Sequence, residues 1–207
     1  MNKVRDIINF MGIVEKLCLV NRDNYLSKGG FESDSDHIFK LTFLIMLVYP
    51  YLRGQADYAK MLELALVHDL AEAETGDISL IDHASNPDLK KQKQIKEFAA
   101  MEKYKNLLPP PLNEKIYDLF LEYEQRQTRE AKLVKALDLI DANIQANSYN
   151  GGDIKYWNQY GDGDWYYKYA LEKRDIIKEL GEEILSELEE AMIELTKENM
   201  KKCKISI

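Results

Sequence analysis

Apolar residues recur at helical spacing in nearly every long segment of this chain, and that period limits the folds open to it. Residues 2–19 set Val4, Ile7, Ile8, Met11, Val14, Leu17 and Cys18 on one stripe, which predicts an amphipathic helix. Asn21 to Ser35 is polar, contains Gly29-Gly30 and reads as a loop. Ser33-Asp34-Ser35-Asp36 has the form of a helix start, since a capping hydroxyl and acidic groups suit the positive end of the helix dipole. The helix it opens runs through His37 to about Val48 and stops at Pro50, and its continuous apolar character predicts burial on most sides. Five prolines and ten glycines are few for 207 residues, which favours long helices over a turn-rich β architecture.

Further helices are expected over Ala56 to about Glu74, ended by Thr75-Gly76-Asp77, and over Asp88 to Lys105, with Ile95, Phe98, Ala99 and Tyr104 inward. Ile78 to Pro87, with His83, reads as a loop. Pro109-Pro110-Pro111 breaks the chain before a short helix over Asn113 to Glu124. Thr128 to about Tyr149 is the next helix, with Thr128 as cap and Leu133, Leu137, Ile140 and Ile144 as its core stripe. Val134, Asp138, Asp141 and Gln145 lie on its flank, at i, i+4, i+7 and i+11. An aromatic segment from Asn150 leads to a last amphipathic helix, from roughly Trp165 to Lys202. The fold class expected is all-α, one helical bundle.

The composition narrows the function. A net charge of −8 argues against a broad nucleic-acid surface, which needs basic patches to offset phosphate charge. A small phosphorylated ligand is still accessible, because one cation and one arginine make a local positive site. Cys18 and Cys203 lie near opposite ends with no CxxC, so a reducing cytoplasm is expected. No signal-peptide pattern opens the chain, and its longest apolar run, Leu41 to Tyr49, is far short of the roughly 20 residues that span a bilayer. No membrane association is expected.

The chemistry lies in His37, His68-Asp69 and Asp138. His68 and Asp69 interrupt a stretch that otherwise reads as buried helix, Ala65-Leu66-Val67-His68-Asp69-Leu70-Ala71-Glu72. An unpartnered polar group there costs roughly 2–7 kcal/mol, and a charge costs more. One divalent cation can satisfy two imidazoles and two carboxylates at once, across three helices. Each residue also has a plainer reading: His68 as a core histidine bonded to a backbone carbonyl, Asp138 as a helix-surface carboxylate, His37 as a solvated first-turn residue.

The order His … His-Asp … Asp resembles the HD-domain metal-dependent phosphohydrolases, and most closely their 5′-deoxynucleotidase branch. Three stretches carry the likeness over about residues 1–150: Glu32-Ser33-Asp34-Ser35-Asp36-His37; Leu64 to Glu72 with Gly76-Asp77-Ile78; and Glu122-Tyr123-Glu124 with Glu130 to Asp138. On this likeness residues 1–150 are an HD phosphohydrolase domain, with residues 151–207 an aromatic segment and C-terminal helix packed on it. The resemblance implies that His37, His68, Asp69 and Asp138 bind one divalent transition metal, Mn, Co, Fe or Zn rather than Mg. It implies that Glu72 handles the proton beside Asp69, that Asp77 lies near the substrate sugar, and that Arg22 meets the phosphate. It also implies a homodimer. Where the branch has a tryptophan after the arginine, this chain has Tyr25, which leaves deoxy against ribo preference open.

The activity expected is hydrolysis of nucleoside 5′-monophosphates to nucleoside and phosphate. The rivals are an HD-type phosphodiesterase, a nucleotide pyrophosphohydrolase and a non-catalytic nucleotide-binding HD protein. Two-metal relatives bring extra histidines between the His-Asp pair and the last aspartate. Only His83 lies there, and it reads as an exposed loop residue.

Overall fold

The computed structural model describes residues 2–78, 86–149 and 174–205. The helices are α1 (Lys3–Val14), α2 (Asp34–Val48), α3 (Tyr58–Val67), α4 (Glu72–Thr75), α5 (Pro87–Leu107), α6 (Leu112–Gln125), α7 (Arg129–Tyr149), α8 (Arg174–Leu180) and α9 (Glu183–Lys202). Among the described residues the architecture is all-α, apart from one small hairpin. His83 and the aromatic segment that follows Asn150 fall outside the described residues.

Helix α7 is the axis of the bundle and packs against α2, α3, α6, α8 and α9. Leu41 and Ile45 of α2, Met61 and Leu64 of α3, Phe120 of α6, and Leu133 and Leu137 of α7 form the closed centre of the core. The predicted helix starts hold. Ser33 caps α2 through Asp36 N, and the Asp36 side chain answers to Ser33 N at 2.9 Å, a complete capping box. Thr128 Oγ1 accepts from Ala131 N at 3.3 Å at the head of α7.

Four expectations need correction. The segment read as a loop holds an antiparallel hairpin, β1 (Asn21–Tyr25) and β2 (Phe31–Ser33), with Asn21 opposite Ser33 and Tyr25 opposite Phe31. Few of its residues favour strands, and inward polar partners hold it instead: Asn24 Nδ2 donates to Glu32 Oε2 at 3.3 Å, both residues being buried. Gly29 and Gly30 turn it at φ of 90° and 88°, a region closed to most side chains.

Second, α2 is not buried all round. Phe39, Phe43, Met46 and Leu47 face out, Phe39 with 64% and Leu47 with 61% of their surface exposed. The apolar stripe of residues 2–19 behaves likewise: Val4, Ile7, Ile8 and Met11 are exposed, while Phe10, and Leu17 in the 3₁₀ turn after α1, turn inward. Third, Ile95 and Ala99 lie outside on α5, whose inner face is Phe98, Ala100, Met101 and Tyr104. Fourth, the final helix is two, α8 and α9. They are separated at Gly181, whose φ of 65° stops the first.

Candidate metal centre

The helix expected through the His-Asp pair changes pitch there. Regular α3 ends at Val67, and over the next turn the bonds shorten to i→i−3: Leu70 N to Val67 O at 3.0 Å and Glu72 N to Asp69 O at 2.9 Å. Residues three apart eclipse in such a turn, so Asp69 and Glu72 lie over one another more nearly than in an α-helix. The functional pair therefore stands on a tightened turn between two helices, where a carboxylate and an imidazole can face inward together.

His37, His68 and Asp69 come together, with possible ligand atoms all within 4.8 Å of one another. His68 Nδ1 bonds to Ala65 O at 2.8 Å, the backbone partner that the plainer reading anticipates. Because that oxygen only accepts, Nδ1 carries a proton, and in the neutral ring that can bind a metal Nε2 presents its lone pair. Nε2 is buried, makes no hydrogen bond, and lies 3.0 Å from Asp69 Oδ2. Two acceptors facing each other at that distance are poorly placed for each other and well placed for a cation. Two imidazole nitrogens with carboxylate oxygens are a donor set that fits one divalent cation.

His37 is fully buried beside them, its Nε2 at 4.0 Å from Asp69 Oδ2 and its ring centroid 5.4 Å from that of His68. Asp138 comes to His37 rather than into the trio. Its Oδ1 is 3.0 Å from His37 Nε2, and its Oδ2 accepts from Tyr123 OH at 2.9 Å and Lys135 Nζ at 2.8 Å. Both Asp138 and His37 are buried, so neither solvated reading of them holds. The other ring nitrogen, His37 Nδ1, is 2.8 Å from Asp141 Oδ2. Burial and Arg22 press the imidazole toward neutrality, but the bonds to Asp138 and Asp141 outweigh them and lift its pKa to about 9. Burial would raise Asp69, yet without a metal the protonated form of His68, then Arg22 and His37, hold it well below the usual carboxylate range. Asp138 is likewise held low against its burial, by Lys135 and His37.

Arg22 reaches the cluster from β1. Its Nη1 is 3.1 Å from Asp69 Oδ2 and 3.4 Å from Asp34 Oδ1. Tyr25 stands three residues on, roughly 10 Å along the strand. There its ring stacks on Phe31 at 5.0 Å and its carbonyl accepts from Gln145. Glu72 is buried beside Asp69 and Asp34, possible ligand atoms of the three lying within 4.8 Å of one another, and its Oε2 lacks a hydrogen-bond donor. Burial and then Asp69 push its pKa well up, more than Lys93 pulls it down. Asp77 lies 3.8 Å from Lys93 Nζ, and its own pKa is raised by burial.

Reading by residue type misses Asp34, Asp141 and Lys93. Asp34 is fully buried at the first position of α2, with Oδ2 unpartnered, and its burial and the Asp69 charge push its pKa to about 6. Asp141 shares a flank of α7 with Asp138, which is its only trace in the sequence. Lys93 sits in a helix crowded with lysines, and nothing local marks it.

Residues 14–180 match the model of the HD domain family, and the chain belongs to that family. The chain is similar to 5′-deoxynucleotidase HDDC2 of Xenopus laevis, 37% identical over 147 residues and 70% of each protein. It is 33% identical to human 5′-deoxynucleotidase HDDC2 over 70% of this chain and 69% of that protein. The match to 5′-deoxynucleotidase YBR242W of Saccharomyces cerevisiae, at 29%, covers 92% of this chain and 78% of that one. Among solved structures, a predicted metal-dependent phosphohydrolase from Magnetospirillum magnetotacticum shares the fold over the whole of both chains, with a TM-score of 0.77 at 20% identity.

Proposed function

We propose that this protein is a metal-dependent phosphomonoesterase that hydrolyses nucleoside 5′-monophosphates, the deoxy series foremost, to nucleoside and phosphate. The observation that carries the reading is the buried, unbonded His68 Nε2 facing Asp69 Oδ2 at 3.0 Å, with Arg22 on the same carboxylate. The 5′-deoxynucleotidases it resembles supply the substrate class.

His37, His68, Asp69 and Asp138 are the residues that would hold the ion, Asp138 turning its Oδ1 from His37 to do so. A divalent ion there supplies Lewis acidity toward a phosphate oxygen and a water of lowered pKa. Arg22 is ready for the remaining phosphate charge, because its planar guanidinium already spans two carboxylates and suits phosphate oxygens equally well. In the reaction the water oxygen bonds to phosphorus, the P–O5′ bond breaks, and a proton reaches the departing 5′-oxygen. Glu72, with Oε2 open, takes or gives that proton. Asp77 completes the acidic wall for the sugar hydroxyl. Tyr25, at the far end of β1, takes no part in the phosphate chemistry in this reading.

The same reading makes the enzyme a cytoplasmic homodimer. Both cysteines are free, no helix among the described residues is long and apolar enough to cross a membrane, and the outer face of α2 is apolar.

The test is phosphate release from a panel of 5′-dNMPs, 5′-NMPs and 3′-NMPs, using metal-stripped protein resupplied with Mn, Co, Zn or Mg. Release confined to 5′-monophosphates and abolished in Asp69→Ala is the expected result. No release with any metal, from folded protein that still binds one, overturns the reading.

A further inference from the structure

Lys93 is a charged group in contact with Glu72 to which the chemistry above gives no task. Its neighbours Lys91 and Lys96 on α5 are exposed, as expected of a polar helix. The Lys93 side chain keeps only 16% of its surface, and its Nζ donates to Glu72 Oε1 at 2.6 Å. Glu97 Oε1 follows at 3.4 Å and Asp77 Oδ1 at 3.8 Å. Thus three carboxylates, from α4, the turn after it and α5, converge on one ammonium. Burial opposes that charge, but Glu72 and Glu97 more than restore it.

The contact divides the two oxygens of Glu72. Oε1 is taken, while Oε2 is buried and has no hydrogen-bond partner. A glutamate side chain otherwise has several rotamers to lose before it can meet a reacting group in one orientation. A charge-assisted bond of 2.6 Å at Oε1 removes most of that freedom in advance.

We propose that Lys93 is a positioning residue: by holding Glu72 Oε1 it aims Oε2 at the proton that moves during phosphate hydrolysis. Lys93 itself touches no reacting atom. The inference rests on the nucleotidase reading for what Glu72 does, and it adds a fixed orientation supplied from α5. A lysine that bound the substrate phosphate directly would have to leave three carboxylates to do so.

The experiment compares wild type, Lys93→Met and Lys93→Arg, each loaded with Mn, on one 5′-dNMP. Outer residues that orient catalytic groups are commonly worth 10–100-fold, so kcat in Lys93→Met is expected to fall by about that factor. KM should stay within about threefold, the pattern of an interaction used only in the transition state. Mn affinity should be unchanged, and Lys93→Arg should recover most of kcat. A raised KM with kcat intact would make Lys93 a substrate-binding residue and overturn the proposal, as would unaltered kinetics. If Lys93→Met fails to fold, Lys93→Gln, polar, uncharged and one atom shorter than lysine, is read in the same way. An independent arm follows the ¹⁵N-labelled Lys93 ammonium, expected to be protected from exchange in wild type and unprotected in Glu72→Ala. Rapid exchange in wild type overturns the pairing. If wild type turns over no nucleotide, the nucleotidase reading falls and this arm alone decides whether Lys93 holds Glu72.

Discussion

His37 binds Asp141 Oδ2 through Nδ1 at 2.8 Å, and both residues are buried between α2 and α7. His68 is oriented through Nδ1 too, but by the neutral carbonyl of Ala65. The two imidazoles therefore bring their Nε2 atoms near Asp69 Oδ2, His68 at 3.0 Å and His37, bonded to Asp138, at 4.0 Å, one supported by a charge and the other by a dipole. A carboxylate behind a histidine makes the imidazole a stronger donor to a metal and fixes its tautomer.

Asp141→Asn should therefore weaken metal binding by about 10–100-fold while leaving the fold intact. Titration of stripped protein with Mn checks this directly, without any assay of activity. Affinity equal to wild type would mean that Asp141 serves only to solvate Lys40, whose Nζ is 3.5 Å away.

The raised pKa of His37 gives a pH dependence with a definite sign. In metal-free protein its pKa is about 9, against 6.5 when unfolded. The stabilisation from the charged form is thus fully present below pH 6.5 and is lost as pH rises through 9. The gap corresponds to about 3 kcal/mol. An ion at Nε2 must displace a proton, so binding strengthens over the same window. Thermal melts from pH 6.5 to 9 should show the metal-free Tm falling and the increment from added Mn growing. A metal increment that shrinks with pH would exclude His37 as a ligand.

Arg22 should affect metal and substrate in opposite senses. Its guanidinium lies 3.1 Å from Asp69 and repels any cation nearby. In Arg22→Ala, Mn should bind as well as in wild type or better. KM for a 5′-dNMP should rise at least about tenfold, as expected when a charge-assisted phosphate contact of about 1.5–3 kcal/mol is removed. Separate metal and substrate titrations test the two halves, and a joint loss of both would make Arg22 a structural prop.

Much of this is legible in the sequence. Local chemistry names the Ser33 cap, the stop at Pro50 and the Thr128 cap. The motif residues His37, His68 and Asp69 draw attention because an ionisable pair in an apolar stretch needs partners. What the chain conceals is tertiary. Glu32 holds the hairpin from inside through Asn24, against weak strand propensity, so period and composition both suggest a loop. The i→i−3 turn after Val67 has no local breaker to announce it. Lys93 differs from Lys91 and Lys96 only in what α5 faces, and Ile95 is outward although it is the more apolar residue. Likewise Asp34 and Asp36 look alike as helix-start acids, yet Asp36 closes the capping box while Asp34 pairs with Arg22.

Glu182 offers a test of how the C-terminal helices are held. It is buried just before α9 and accepts from Arg53 N at 2.8 Å and Gly54 N at 3.0 Å, while also pairing with Arg129. Glu182→Ala would strand two backbone donors and a half-buried guanidinium, at a cost of about 2–4 kcal/mol. Denaturant unfolding should register that loss, with metal affinity unchanged in the native state.

The outer face of α2 is where the proposed homodimer can be tested. Phe39, Phe43, Met46 and Leu47 fall at i, i+4, i+7 and i+8, one continuous stripe, and all four are exposed. Fully burying a side chain of this size is worth about 1.5–3 kcal/mol, so completing the burial of eight half-exposed ones across a two-fold axis gives several kcal/mol toward association. A stable interface needs about 800 Å² from each partner, more than one helix face presents, so neighbouring exposed residues must contribute as well. Phe43→Glu with Leu47→Lys should convert a dimer to a folded, metal-binding monomer in light scattering, because neither side chain enters the core. A wild-type protein that is already monomeric at about 100 μM, roughly a hundredfold above a micromolar dissociation constant, would remove the dimer from the proposed function.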